Sequence, residues 1–86
     1  MGASTFVQLA KVWAMLDACL PGWKSRPTNH YHRIYSPNGK IYPSLPLGEH
    51  GHRRDAEIKA GHIRNLARQF NIEACAQQHL PEAFGG

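Results

Sequence analysis

His30-Tyr31-His32-Arg33-Ile34-Tyr35-Ser36, followed by Pro37-Asn38-Gly39 and then Lys40-Ile41-Tyr42-Pro43-Ser44-Leu45-Pro46-Leu47, is the stretch whose reading decides the fold. Two runs rich in tyrosine, isoleucine and leucine flank a turn cluster, which is the pattern of a β-hairpin. Proline pre-sets the first loop position and glycine accepts φ > 0 at the third, so a three-residue loop with a glycine bulge is favoured over a two-residue Asn-Gly turn. In that register Tyr35 faces Ile41 and Tyr31 faces Leu45. His30, His32 and Ile34 then share a face with Lys40, Tyr42 and Ser44, and the histidines point to solvent. The two-residue register would instead align them with Ile41 and Leu45 and partly bury them.

Upstream of the hairpin, Thr5 and Gln8 have the form of a capping box, and Phe6, Leu9, Trp13, Leu16 and Leu20 recur at intervals of three and four. This predicts a helix from about Phe6 to Cys19 or Leu20, stopped by Pro21 and Gly22. Trp23 to Arg26 is a short strand candidate, joined to the hairpin through Pro27-Thr28-Asn29. Downstream, Pro46 to Glu57 is a loop without apolar period, and its length favours a binding role. Ile63, Leu66, Ala67 and Phe70 then mark a second amphipathic helix, with Arg64 and Arg68 one turn apart on another face. Asn71 can close that helix, Glu73 to His79 reads as a last short helix before Pro81, and Ala83-Phe84-Gly85-Gly86 reads as a frayed end.

Eighty-six residues leave room for one domain, residues 1–86, with a core over about 5–72 and a short C-terminal helix and tail over 73–86. Apolar residues at 42% and charged residues at 19% place the chain with globular proteins rather than disordered ones. No apolar run is long enough for a membrane span, and the first residues lack the pattern of a signal peptide, so a cytoplasmic protein with no membrane partner is expected. In that compartment Cys19 and Cys75 are expected as free thiols. The formal charge is +4, but between Lys24 and Arg68 nine of the ten Lys and Arg stand against three of the six Asp and Glu, a local +6. A field concentrated in this way suits an anionic partner.

Several residue groups could carry chemistry. His30 and His32, two apart on a strand, present neighbouring imidazoles suited to acid–base work near neutral pH. Neither this pair nor His50-Gly51-His52 completes a zinc spacing, so no metal is expected, and no phosphate-binding glycine loop suggests a small-molecule cofactor. His50, His52, Arg53, Arg54 and Lys59 lead into Arg64 and Arg68, and with Lys40 of the hairpin they are candidate RNA contacts. Gly61 and His62 sit at a helix start whose N–H groups can also meet an anion. Tyr31, Tyr35 and Tyr42 are candidate stacking residues for bases.

Gly22-Trp23-Lys24, Asn29-His30-Tyr31-His32, Tyr35-Ser36-Pro37-Asn38-Gly39-Lys40 and Ile58-Lys59-Ala60-Gly61-His62-Ile63-Arg64-Asn65-Leu66-Ala67-Arg68 occur in the order found in one family. Over roughly residues 6 to 72 the chain resembles the HicA-type messenger-RNA interferase toxins. The resemblance implies an α+β fold of order α-β-β-β-α, similar to the double-stranded RNA-binding domain, with a three-stranded antiparallel sheet and two helices packed on one face. It further implies metal-independent cleavage of RNA by one strand histidine, either His30 or His32, and a HicB-type antitoxin protein as partner. The sequence departs from the family in reading Thr28-Asn29-His30 where Gly-Ser-His is usual, in one extra residue between His30 and Pro37, and in a longer loop over Leu47 to Glu57. The expected function is thus an RNA-cleaving toxin, an endoribonuclease. A non-catalytic RNA- or DNA-binding module and a small protein-interaction adaptor are the alternatives.

Overall fold

Val7 and Ile58 lie directly opposite each other on two short antiparallel strands, β1 (Phe6–Gln8) and β5 (Glu57–Lys59), in the computed structural model, which describes residues 5–46 and 56–84. Both are buried while Phe6, Gln8 and Lys59 are exposed, the alternation a half-buried strand imposes. Each strand runs directly into a helix, β1 into α1 (Leu9–Cys19) and β5 into α2 (Ala60–Gln69). Neither helix has a side-chain cap. Instead the Leu9 N–H donates to the Ala56 carbonyl at 2.9 Å and the Ala60 N–H donates to the Thr5 carbonyl at 2.8 Å, so each strand satisfies an orphan donor of the other's helix. This corrects the expectation of a helix from Phe6 with a Thr5–Gln8 capping box. Pairing with β5 takes those residues into a strand, and the helix begins three residues later.

The hairpin region forms a three-stranded antiparallel sheet of β2 (Lys24–Pro27), β3 (Tyr31–Tyr35) and β4 (Ile41–Pro46), with β3 central. The fold is therefore α+β around a three-stranded antiparallel sheet, with the two-stranded β1–β5 sheet beside it. Around the second turn the Ser36 N–H donates to the Lys40 carbonyl at 2.9 Å, and Gly39 takes φ +94°, which is the expected three-residue loop with a glycine bulge. Ile34 and Leu45 enter one buried cluster with Val12, Met15 and Leu16 of α1 and Ile63, Leu66 and Ala67 of α2.

Asn71, at φ 59°, closes α2 in the left-handed region, and α3 (Glu73–His79) follows as expected. The chain end is a correction. Pro81–Phe84 form a 3₁₀ turn in which Ala83 is fully buried and its carbonyl accepts from Arg64 Nη1 at 2.9 Å, so this stretch is anchored and not frayed. The cysteines are a second correction. Cys19 at the end of α1 and Cys75 in α3 form a disulfide with Cα atoms 5.6 Å apart, well inside the range that allows one. The bond closes a sequence separation of 56, which in the chain-entropy account restricts the unfolded chain by about 4 kcal/mol. Free thiols were inferred from compartment, and compartment carries no information on which helices pack together. Among the described residues, no helix is long and apolar enough to cross a membrane.

Gly22 and Trp23 tie α1 to the sheet. Trp23 stacks on Trp13 with ring centroids 5.0 Å apart, and its Nε1 donates to Asp17 Oδ1 at 2.8 Å. Gly22 has φ +90°, and a Cβ there would come within 3.3 Å of Pro37 Cβ at the tip of the second hairpin. Gly39 has a similar φ, but a Cβ there would meet nothing within 4 Å. Replacing either glycine by alanine should cost the backbone strain, about 1–2 kcal/mol. Gly22→Ala should cost more than Gly39→Ala because it also displaces Pro37. Denaturant unfolding of both variants checks this, and equal losses would mean that the Gly22–Pro37 approach is unimportant.

Candidate nucleic-acid interface

The side chains of β3 alternate between two environments. Tyr31 and Arg33 are exposed and Tyr35 is half-buried, while Ile34 is fully buried and His32 half-buried. Cross-strand partners share a face, so Lys24 opposite Tyr35, Arg26 opposite Arg33 and Ile41 opposite Tyr35 extend the outward side. The result is a sheet face carrying three cations, Lys24, Arg26 and Arg33, with two tyrosines and Ile41. Tyr31 and Ile41 are 46% and 42% exposed. Arg26 and Arg33 are placed directly opposite, an arrangement that destabilises a strand pair unless an anion lies between them. None of the three cations has an ion-pair partner among the described residues.

The inner face carries His32, Ile34, Tyr42 and Leu45, and this corrects the expected orientation. The register begins as predicted, with Tyr35 opposite Ile41 and Ile34 opposite Tyr42, but it shifts between Ile34 and His32 so that Leu45 pairs with His32 and Pro46 with Tyr31. Opposite Arg33, β4 accommodates both Pro43 and Ser44. Proline lacks the N–H a regular ladder needs, so a bulge forms there. The bulge transfers Leu45 to the side of Ile34, and both are then fully buried. Without it, Tyr31, Tyr35, Ile41 and Leu45 would have formed the apolar side and the histidines would have faced water.

The two histidines are consequently separated. His30 is exposed, ahead of β3 in the turn between β2 and β3, where Thr28 holds the backbone: its Oγ1 accepts from the Tyr31 N–H and donates to the Tyr31 carbonyl, both at 3.0 Å. Its ring approaches Tyr31 edge-on with centroids 6.3 Å apart. His32 packs edge-on against Trp13, centroids 5.2 Å apart, and its buried Nδ1 has no hydrogen-bond partner among the described residues. Burial lowers the His32 imidazole below its ordinary value and favours the neutral ring. Of the tyrosines, Tyr31 and Tyr35 lie on the outward face. Tyr42 lies on the inner one, where burial raises its phenol, an effect that a hydrogen bond with Ser44 partly offsets.

The basic residues predicted for RNA contact divide in the same way. Lys40, at the hairpin turn, and Lys59, at the start of α2, are exposed. Arg64 is occupied by the Ala83 carbonyl, and Arg68 lies 3.4 Å from Asn65 Oδ1 and 3.9 Å from Glu73. Both arginines thus have structural partners, which the sequence spacing did not reveal. His50, His52, Arg53 and Arg54 lie outside the described residues. Lys24, Arg26 and Arg33, which the outward face brings together, were not among the candidates read from the sequence, although the two-residue spacing of Lys24 and Arg26 was a readable signal. Comparison with known proteins finds no matching family model, no similar curated protein and no similar solved structure.

The burial of His32 gives a signed pH effect. Its folded value lies below the ordinary 6.5, so stability is fully present above that value and is lost as pH falls toward the folded value, because the unfolded chain takes up the proton first. Thermal unfolding between about pH 7 and pH 5 should show a steeper decline for the parent than for His32→Gln. Identical slopes would mean that His32 is not held neutral.

Proposed function

We propose that this protein binds single-stranded RNA on the outward face of the β2–β3–β4 sheet and cleaves it with His30, as a divergent relative of the HicA-type interferase toxins. The observation that carries the reading is the opposed pair Arg26 and Arg33, with Lys24 beside them and Tyr31 and Tyr35 interleaved. Cations neutralise phosphates, and tyrosine rings stack on unpaired bases without requiring a sequence. A lipid surface or an acidic protein would use the charges but not that interleaving. The three-stranded antiparallel sheet with helices before and after it is compatible with the resemblance to the double-stranded RNA-binding domain, while the β1–β5 pair is an addition that the resemblance did not include.

His30 stands in the turn that borders this face, beside Tyr31. As a general base it takes the proton of a ribose 2′-hydroxyl; O2′ then attacks phosphorus and the P–O5′ bond breaks, the leaving oxygen taking a proton from water, to give a 2′,3′-cyclic phosphate and a 5′-hydroxyl end, while the resulting hydroxide takes up the proton held by His30. Arg33 and Arg26 stabilise the charge that develops on the phosphoryl oxygens. His32, facing Trp13, is a packing residue in this reading. A HicB-type antitoxin would cover the same face, and the setting would be the cytoplasm, whose reducing poise opens the Cys19–Cys75 bond to exchange.

Single-stranded RNA binding should weaken as salt rises, and Arg26→Gln or Arg33→Gln should each lower the salt slope by about 0.7. His30→Ala should retain binding and lose cleavage, and the parent should leave a 2′-deoxy substrate intact. Cleavage by His30→Ala at the parent's rate would remove the catalytic role. Binding by the parent without cleavage would leave a non-catalytic module.

A further inference from the structure

Cys19, Cys75 and His79 place two sulfurs and an imidazole nitrogen within 4.8 Å of one another. Cys75 and His79 are four apart on α3 and so share one face, and Cys19 is brought to them from the end of α1. A structural disulfide has no need of an imidazole at this distance. His79 is exposed and makes no side-chain hydrogen bond among the described residues, while both cysteines are half-buried. In tetrahedral zinc coordination, with Zn–S of about 2.3 Å and Zn–N of about 2.0 Å, donor atoms stand roughly 3.3–3.8 Å apart. The imidazole nitrogen already stands within about an ångström of that spacing from the sulfurs, and opening the disulfide frees the bonded sulfurs to separate to it.

We infer that the reduced protein binds one zinc-class divalent ion through Cys19, Cys75 and His79, with the fourth position open to solvent or an added ligand. Reduction adds two electrons and two protons to the disulfide to give two thiols, the electrons coming from a dithiol that is itself oxidised to a disulfide. Metal binding then displaces the two thiol protons, and the ion undergoes no redox change. Disulfide and metal are alternative clamps between α1 and α3, so the same helix pair stays joined in an oxidising or a reducing setting. The inference does not depend on the RNA-binding reading.

The test is cobalt titration of the full chain reduced with a phosphine, followed by zinc competition. One equivalent of Co²⁺ should give thiolate-to-metal absorption and a tetrahedral visible spectrum, Zn²⁺ should abolish both, and zinc should raise the unfolding temperature of the reduced protein. The oxidised protein should show neither effect. Cys75→Ser should lose the tetrahedral spectrum. His79→Ala, which keeps the disulfide and so can be purified folded before reduction, should bind at least about tenfold more weakly. A reduced parent that stays metal-free, folded or unfolded, overturns the inference. So does a His79→Ala variant with the parent's affinity, or a Cys75→Ser variant with the parent's spectrum.

Discussion

The reciprocal backbone ladder between residues 5–9 and 56–60 is the constraint on which the other elements rest. Neither α1 nor α2 starts with a capping side chain, and each takes its first hydrogen-bond acceptor from the other's leading strand. Val7 and Ile58, opposite each other and buried, fasten the ladder to the core. With the two helix starts fixed together, α1 can meet the sheet through Trp13 and α2 can run beside β4, where Gln69 Nε2 donates to the Ile41 carbonyl at 3.3 Å. The disulfide to α3 and the Arg64 bond to Ala83 then secure the C-terminal segment to the same frame.

On that frame a single bulge determines which chemistry faces water. By moving Leu45 onto the side of Ile34, it turns His32 to the inner face and leaves Tyr31, Arg33 and Tyr35 on the outward one. The cost is an exposed face with two arginines opposed across β2 and β3. An opposed pair of that kind lowers the stability of the strand pair by a few tenths of a kcal/mol or more, at about the scale of cross-strand pairs. A bound phosphate backbone would reverse the sign of that contribution. The same reasoning separates the two histidines, one facing solvent at the border of the charged face and one packed against Trp13, where burial favours its neutral form.

Local signals were legible in the sequence and long-range ones were not. Pro37-Asn38-Gly39 specified the hairpin loop, and Ile63, Leu66, Ala67 and Phe70 the buried side of α2, because turn chemistry and helical period act over a few residues. Thr5 and Gln8 fitted a capping box equally well, yet a partner some fifty residues away (the β5 strand, Glu57–Lys59) took Phe6–Gln8 into a ladder that no local pattern announces. Pro43 was the visible cue to the bulge, since proline inside a strand run argues against regular pairing, and giving it that weight would have turned His32 inward. The bond from Arg64 to the Ala83 carbonyl was not foreseen, because Ala83 belongs to a segment that looked frayed. Cys19 and Cys75 read as free on a compartment argument, which says nothing of the helix packing that brings them together.

The most direct test of the proposed RNA surface is an amide chemical-shift titration of the ¹⁵N-labelled, disulfide-bonded protein with a short unstructured RNA. Saturable shifts concentrated at Lys24, Arg26, Tyr31, Arg33 and Tyr35, with Val12, Leu16 and Ala76 unmoved, are the predicted result. Shifts confined to α2 and α3, with the outward sheet face silent at saturation, would contradict it.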